Sequence, residues 1–145
     1  MEIDILPKTE RAQTHMVFIV VPRFNIMTLI TMIETLRIAN YLAPASIYSW
    51  EVASFDGSKI IASNGMTATI KTANDNLQSA EFVFILGSWG TEHYHNKKLT
   101  AWLRKRVRAG ERICGVELGS YIVARAGLLD GKLATIHWSW PVSYT

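Results

Sequence analysis

Apolar positions along this chain come in two forms: short unbroken runs, and longer stretches where they recur at three- and four-residue spacing. Residues 16–21, MVFIVV, form the first run, rich in β-branched side chains and closed by Pro22. A continuous run of this length suits a central strand covered on both faces. After a turn at 22–25, residues 26–41 place Leu29, Ile30, Ile33, Leu36 and Ile38 near helical spacing, with Asn25 or Thr28 as the cap. Residues 47–54 alternate as a half-buried strand does, and Asp56-Gly57 supplies a turn. Two short strands at 59–62 and 66–70 flank Ser63-Asn64-Gly65.

Residues 82–86 read as a buried strand ending at Gly87, and 97–109 as a helix with Leu99, Trp102, Leu103 and Val107 on one stripe. That spacing assigns the cations of this helix (Lys98, Arg104, Lys105, Arg106 and Arg108) largely to its solvated face. A third buried strand at 113–116 precedes a helix over 119–126 that stops at Gly127, and residues 133–136 begin another strand. Strands alternating with helices predict an α/β fold, a three-layer α/β/α sandwich with a mainly parallel sheet. Such a sheet usually closes on a helix, and none follows 133–136. The last elements are therefore expected from outside this sequence.

Composition narrows the class. With 145 residues, 49% hydrophobic and 19% charged, the chain fits one globular domain. A net charge of +3 is too small to suggest that this chain itself grips nucleic acid. The one cysteine, Cys114, has no internal disulfide partner, which fits a reducing, cytoplasmic setting. No window reaches the ~18 apolar residues that a membrane span needs. Residues 1–15 mix acids and bases as no secretory signal does, and read as a polar lead-in to a domain over 16–145.

The chemistry concentrates in Gly115, Val116, Glu117, Leu118 and Gly119, where a strand meets a helix. Gly-x-nucleophile-x-Gly is the spacing of a nucleophile elbow, whose central residue projects into a cleft from a tight turn. Here that residue is a glutamate. Close strand–helix packing alone also accounts for two glycines at this spacing.

Further residues point to one family. In order along the chain they are Leu36-Arg37-Ile38-Ala39-Asn40, Tyr48 and Trp50 with Ser54, Asp56-Gly57, and Ala62-Ser63 with Gly65. The strand ending at Gly87 follows. Then come Ala124 and Ala126-Gly127-Leu128-Leu129-Asp130-Gly131, leading to Ala134-Thr135 and His137-Trp138. Over residues 16–140 the chain resembles the N-terminal ThiJ/PfpI (class I glutamine amidotransferase-like) domain of GlxA-type, AraC-family transcriptional regulators. The resemblance implies a flavodoxin-like fold. Catalytic members of the superfamily carry Cys-x-Gly at the elbow, often with His after the Cys; the matching positions here are Glu117, Leu118 and Gly119. Some members add an acid from the start of the first helix, and the alignment puts Met27 near that place. Cys114 lies three residues early, in a strand expected to be buried, and reads as an inert core thiol.

The expectation is a non-catalytic ligand-sensing and dimerisation domain of a bacterial AraC-family regulator, with no cofactor and no metal. Its DNA-binding helix-turn-helix part would lie C-terminal, off this chain. Candidate ligand-binding residues are Glu117, Leu118 and Gly119 of the elbow, Gly87, Ser88 and Trp89 of the turn after the strand, and His137 and Trp138. A carboxylate beside indole faces is a receptor for a cation. Some regulators of this branch are associated with catabolism of amines and quaternary ammonium compounds, so the expected effector is of that class. A glycine-rich turn at 87–90 could also offer amides to an anion. His93 and His95 read as surface loop histidines and Asp130 as a turn former. Superfamily members are commonly dimeric, and a homodimer is expected. Two rivals are an enzyme using Glu117 or Cys114, and a dimerisation module with no ligand.

Overall fold

A computed structural model of the protein describes residues 13–73 and 76–136. Five parallel strands form one sheet in the order β5-β2-β1-β6-β7, made by Lys71–Thr72, Tyr48–Ser54, Thr14–Val20, Phe82–Gly87 and Arg112–Glu117. β3 (Lys59–Ile61) and β4 (Thr67–Thr69) pair antiparallel as a separate hairpin. Three helices complete the described chain: α1 (Ile26–Leu42), α2 (Lys97–Arg108) and α3 (Gly119–Arg125).

The first run explains the layering. In β1, Val17 and Ile19 point to one face and pack with Leu99, Trp102 and Leu103 of α2 and Ile122 and Val123 of α3. Phe18 and Val20 point to the other, against Leu29, Met32, Ile33 and Leu36 of α1 and against the hairpin. Both faces of the strand are fully buried, so no polar alternation remains in its sequence. The result is the three-layer α/β/α sandwich with a parallel sheet.

Several expectations are corrected. β1 starts at Thr14, inside the stretch read as lead-in, because His15 meets polar cross-strand partners: its Nδ1 lies 2.9 Å from Ser49 Oγ and its Nε2 3.6 Å from Glu51. Ile30 and Ile38 of α1 face outward, 51% and 46% exposed. Arg106 of α2 is buried rather than solvated. Its guanidinium pairs with buried Glu111 at 2.8 Å and donates to the Gln78 carbonyl at 2.5 Å. Glu111 in turn accepts from Ser79 Oγ and the Ala80 amide, so this ion pair fastens the segment before β6 beneath α2. β7 has only one strand neighbour among the described residues, which leaves Cys114 half-buried rather than in the core. Burial pushes its thiol pKa up, with Arg112 pulling the other way. Residues 133–136 form no strand, and Leu133 is fully exposed. Before them, Asp130 and Gly131 sit in a turn closed by the Lys132 amide on the Leu129 carbonyl, as the sequence suggests.

Candidate functional site

The carboxyl ends of β1, β6 and β7 lie side by side, and their three following turns make the candidate site. Open α/β sheets bind ligands at this end, where the chain switches direction across the sheet. The switch here falls beside β1, whose neighbours are β2 on one side and β6 on the other.

Glu117 closes β7 with φ of 51°, a left-handed conformation that costs an L-residue roughly 1–2 kcal/mol. The glycines around it show why the turn is so tight. A Cβ on Gly119 would stand 1.9 Å from the Ile85 carbonyl oxygen, and one on Gly115 would stand 2.5 Å from Ser120 Cα. Helix α3 therefore packs on β6 and β7 at backbone distance, and Ser120 Oγ donates back to the Glu117 carbonyl at 3.2 Å. Both readings of the glycine spacing hold together: the elbow has its strained geometry, and close packing imposes it.

The Glu117 carboxylate has partners at the start of α1. Its Oε1 accepts from Asn25 Nδ2 at 3.0 Å and from Thr28 Oγ1 at 2.5 Å. Asn25 is also the N-cap of α1, its Oδ1 accepting from the amides of Met27 and Thr28. Met27, aligned with an acidic position of the family, is itself 71% exposed, and the bonds to Glu117 come from Asn25 and Thr28 on either side of it. Glu117 is open to solvent, so its charge needs no buried counter-ion. Asn25 and Thr28 were legible only as alternative caps, since nothing local ties either to residue 117.

The second turn, after β6, is held differently. Gly87 pairs with Glu117 across the strands, and a Cβ on it would meet Thr91 Oγ1 at 2.5 Å. Ser88 is buried. The Gly90 amide donates to Glu92 Oε2 at 3.0 Å and the Thr91 amide to the Ser88 carbonyl at 3.0 Å. This turn thus satisfies the Gly90 and Thr91 amides with its own carboxylate and carbonyl. Arg125 of α3 fixes the following 3-10 turn (Thr91–His93), donating to the carbonyls of Thr91, Glu92 and Tyr94.

Of the candidate residues, Leu118 is buried and Gly119 is occupied by the Ile85 backbone. The open surface belongs to Glu117 and to Trp89, which is 54% exposed. His137 and Trp138 lie outside the described residues. Arg23 joins the rim unannounced by the sequence: its φ is 66°, and its side chain lies 3.9 Å from where a Gly90 Cβ would stand. His93 is on the surface beside Glu92, and His95 lines an open depression with Lys97 and Arg125. Among the described residues no group of three or more His, Cys, Asp or Glu is placed to hold a metal ion.

The sequence pattern of the DJ-1/PfpI family matches residues 15–143. Two similar proteins of Pseudomonas aeruginosa are the HTH-type transcriptional regulators CdhR and GbdR. CdhR is 37% identical over 83% of this chain and 36% of its own length. GbdR is 32% identical over 92% of this chain and 36% of its own length. The HTH-type transcriptional regulator GlxA of Rhizobium meliloti is 31% identical over 83% of this chain and 38% of its own length. The chain thus spans little more than a third of these relatives. An AraC family transcriptional regulator from Pseudomonas putida shares the fold with a TM-score of 0.79 at 21% identity, over 86% of this chain and 67% of that one. A ThiJ/PfpI domain protein from Brachyspira murdochii superposes with a TM-score of 0.71 at 13% identity, over 88% of this chain and 72% of that one.

Proposed function

Because this chain belongs to the DJ-1/PfpI family and carries Glu117 where the family's enzymes place a thiol, we propose that it is the non-catalytic sensor part of an AraC-type transcription regulator. The observation that carries this reading is the bonding of Glu117. A carboxylate that accepts from the Asn25 amide and the Thr28 hydroxyl is fixed as a receptor for positive charge, and neither of these two partners is a base. DNA binding would then belong to a helix-turn-helix part beyond this chain, and the sensor would work as a homodimer in the cytoplasm. None of the described helices is long and apolar enough to cross a membrane.

The effector in this reading is an amine or quaternary ammonium compound. Glu117 supplies the anion, and Trp89 supplies an aromatic face, a contact that contributes on the order of 1 kcal/mol with a cation. Arg23, on the same rim, adds an opposite charge and favours ligands that carry a carboxylate as well.

Thermal shift with betaine, carnitine, choline and arginine, against wild type and Glu117→Gln, tests the assignment. Stabilisation of the wild type that Glu117→Gln abolishes supports it, and betaine above choline supports the part given to Arg23. No shift with any of the four in folded protein leaves Glu117 a structural residue. Hydrolase or glyoxalase turnover that disappears in Glu117→Gln overturns the sensor reading in favour of an enzyme.

A further inference from the structure

Helix α2 buries Leu99, Trp102, Leu103 and Arg106 and turns every other cation it carries outward. At the pitch of an α-helix, exposed Lys97, Lys98, Arg104, Lys105 and Arg108 fall within one arc of about 120°, running for about 16 Å. The remaining residue in that arc is Ala101, which is too small to stand between these cations and an approaching surface. No acid lies between Asn96 and Gly110. Six of the chain's 15 Lys and Arg are in this helix, which leaves nine against 12 Asp and Glu elsewhere. The net charge of +3 therefore combines a basic helix with an otherwise acidic chain. A face that is merely solvated ordinarily mixes both signs.

Two of these lysines stand where a helix tolerates them least. Lys97 and Lys98 occupy the first turn, which holds no acid, and the helix dipole puts its positive end there. That placement works against the helix and in favour of an anion brought to it. The arc continues past this end into the open depression lined by His95, Lys97, Thr100 and Arg125. Further along, Arg104 Nε donates to the Ala126 carbonyl at 2.8 Å, which holds that charge in place. The shape and chemistry of the arc indicate which anion it fits. It lacks the aromatic or large apolar residue that anchors a protein interface. The apolar side that a membrane-surface helix would sink into lipid is buried here in the core. Duplex DNA, with one phosphate charge per ~1.7 Å of its axis, is a rod of charge that needs no such anchor.

We propose that the outer face of α2 lies against the phosphate backbone of DNA, held by Lys97, Lys98, Arg104, Lys105 and Arg108. The proposal rests on the regulator reading above, since a part that reads bases would bring this chain alongside the duplex. Sequence recognition stays with that part, and α2 adds affinity without contacting bases. Each cation neutralises a phosphate and releases its counterion, so the contact is steeply salt-dependent.

Fluorescence anisotropy of a labelled duplex of arbitrary sequence, titrated with the 145-residue chain, tests the contact, with circular dichroism to confirm folding. A dissociation constant of roughly 10⁻⁴–10⁻⁶ M is expected at about 150 mM salt, with a slope of log K on log salt near about −4. Lys98→Glu and Arg108→Glu should each weaken binding about tenfold or more and make the slope shallower by about one. Lys59→Glu is the same charge change on the β3–β4 hairpin. It should leave the constant within about twofold, because charges more than ~8 Å away are screened at this salt. Lys98→Glu should also raise the urea midpoint, since it puts an acid at the amino end of the helix. Folded wild type that leaves the duplex free overturns the contact but not the sensor reading, which the effector titration tests separately. Equal weakening by Lys59→Glu overturns the assignment to α2 and makes binding a matter of net charge. A urea midpoint lowered by Lys98→Glu makes that lysine a residue of the fold and overturns its part in the contact. Poly-glutamate that competes as well as unlabelled duplex at equal charge overturns DNA in favour of an acidic protein surface.

Discussion

Thr28 Oγ1 donates to Glu117 Oε1 across 2.5 Å of space and 89 positions of sequence. With Asn25 Nδ2 on the same oxygen, it joins the last turn of one sheet strand to the first turn of the helix over the opposite face. The residue at the elbow is thereby both a solvent-facing anion and a clasp between layers.

Substitution at Glu117 separates backbone strain from side-chain bonding. Glu117→Ala and Glu117→Gly lose the same two hydrogen bonds, but only alanine keeps the penalty of a φ near 51°. Glycine is expected to be the more stable of the two by about 1 kcal/mol, the cost of left-handed backbone less glycine's extra chain entropy. Urea titrations of both variants measure the difference. Equal midpoints would mean that the elbow relaxes out of the left-handed region.

Gly119→Ala should be far more damaging than its size suggests. Its methyl would fall 1.9 Å from the Ile85 carbonyl oxygen, and backbone on both sides has no rotamer with which to yield. Loss of about 3 kcal/mol or more is expected, with α3 displaced from the sheet. A chemical-denaturation midpoint close to wild type would contradict the close approach described here.

The Arg106–Glu111 pair makes a sharper case. Both residues are buried, so removing one strands the other. Arg106→Met or Glu111→Leu alone should cost roughly 3–5 kcal/mol, and the double variant should recover much of that loss. The measurement is a double-mutant cycle in urea, and additive losses would deny the coupling.

Stability should decline toward both pH extremes for identifiable reasons. Burial raises the Glu51 pKa, but the hydrogen bonds from Lys71 and the Gln78 amide and the charges of Lys71 and His15 outweigh it, leaving the pKa below its ordinary 4.5. A depressed pKa stabilises the fold above the unfolded value and is lost as pH falls through the folded one. Glu51→Gln should therefore destabilise at about pH 7 and lose its difference from wild type on acidification below 4.5. Tyr94 behaves oppositely: burial, then its hydrogen bond to Asp56 and that residue's charge, raise its pKa above the ordinary 10.0. Its contribution is complete below 10.0 and fades as pH rises beyond it, because the unfolded phenol ionises first. Asp56→Asn should flatten that alkaline decline. Urea midpoints across the pH range check both limbs.

Strands and helices were legible wherever one side chain pattern had one environment. MVFIVV announced a doubly covered strand, and Leu99, Trp102 and Leu103 announced the buried side of α2. Ile30 and Ile38 misled, because hydrophobicity states that a residue seeks cover without saying which side supplies it. Arg106 misled for the reverse reason: its cover is an ion pair with a residue of the next loop. At the site, the two glycines and the central acid were readable from spacing. Their partners Asn25 and Thr28 were not, since contacts across 92 and 89 positions leave no local periodicity. Asn40 is similar: it ties α1 to β2 through the Ile47 and Tyr48 amides and the Tyr48 carbonyl, a stitch visible only in three dimensions.

The left-handed turn at residue 117 is shaped by Gly115 and Gly119 lying against Ser120 and Ile85, contacts in which the side chain at 117 takes no part. The backbone there works as a mount with an exchangeable fitting. One lineage can carry a thiol on it and another a carboxylate, with the strand and helix undisturbed. Glu117→Cys would accordingly present a thiol at the same place, beside Asn25 and Thr28, neither of which is a base. The group presented at the elbow can thus differ while the scaffold that presents it stays the same.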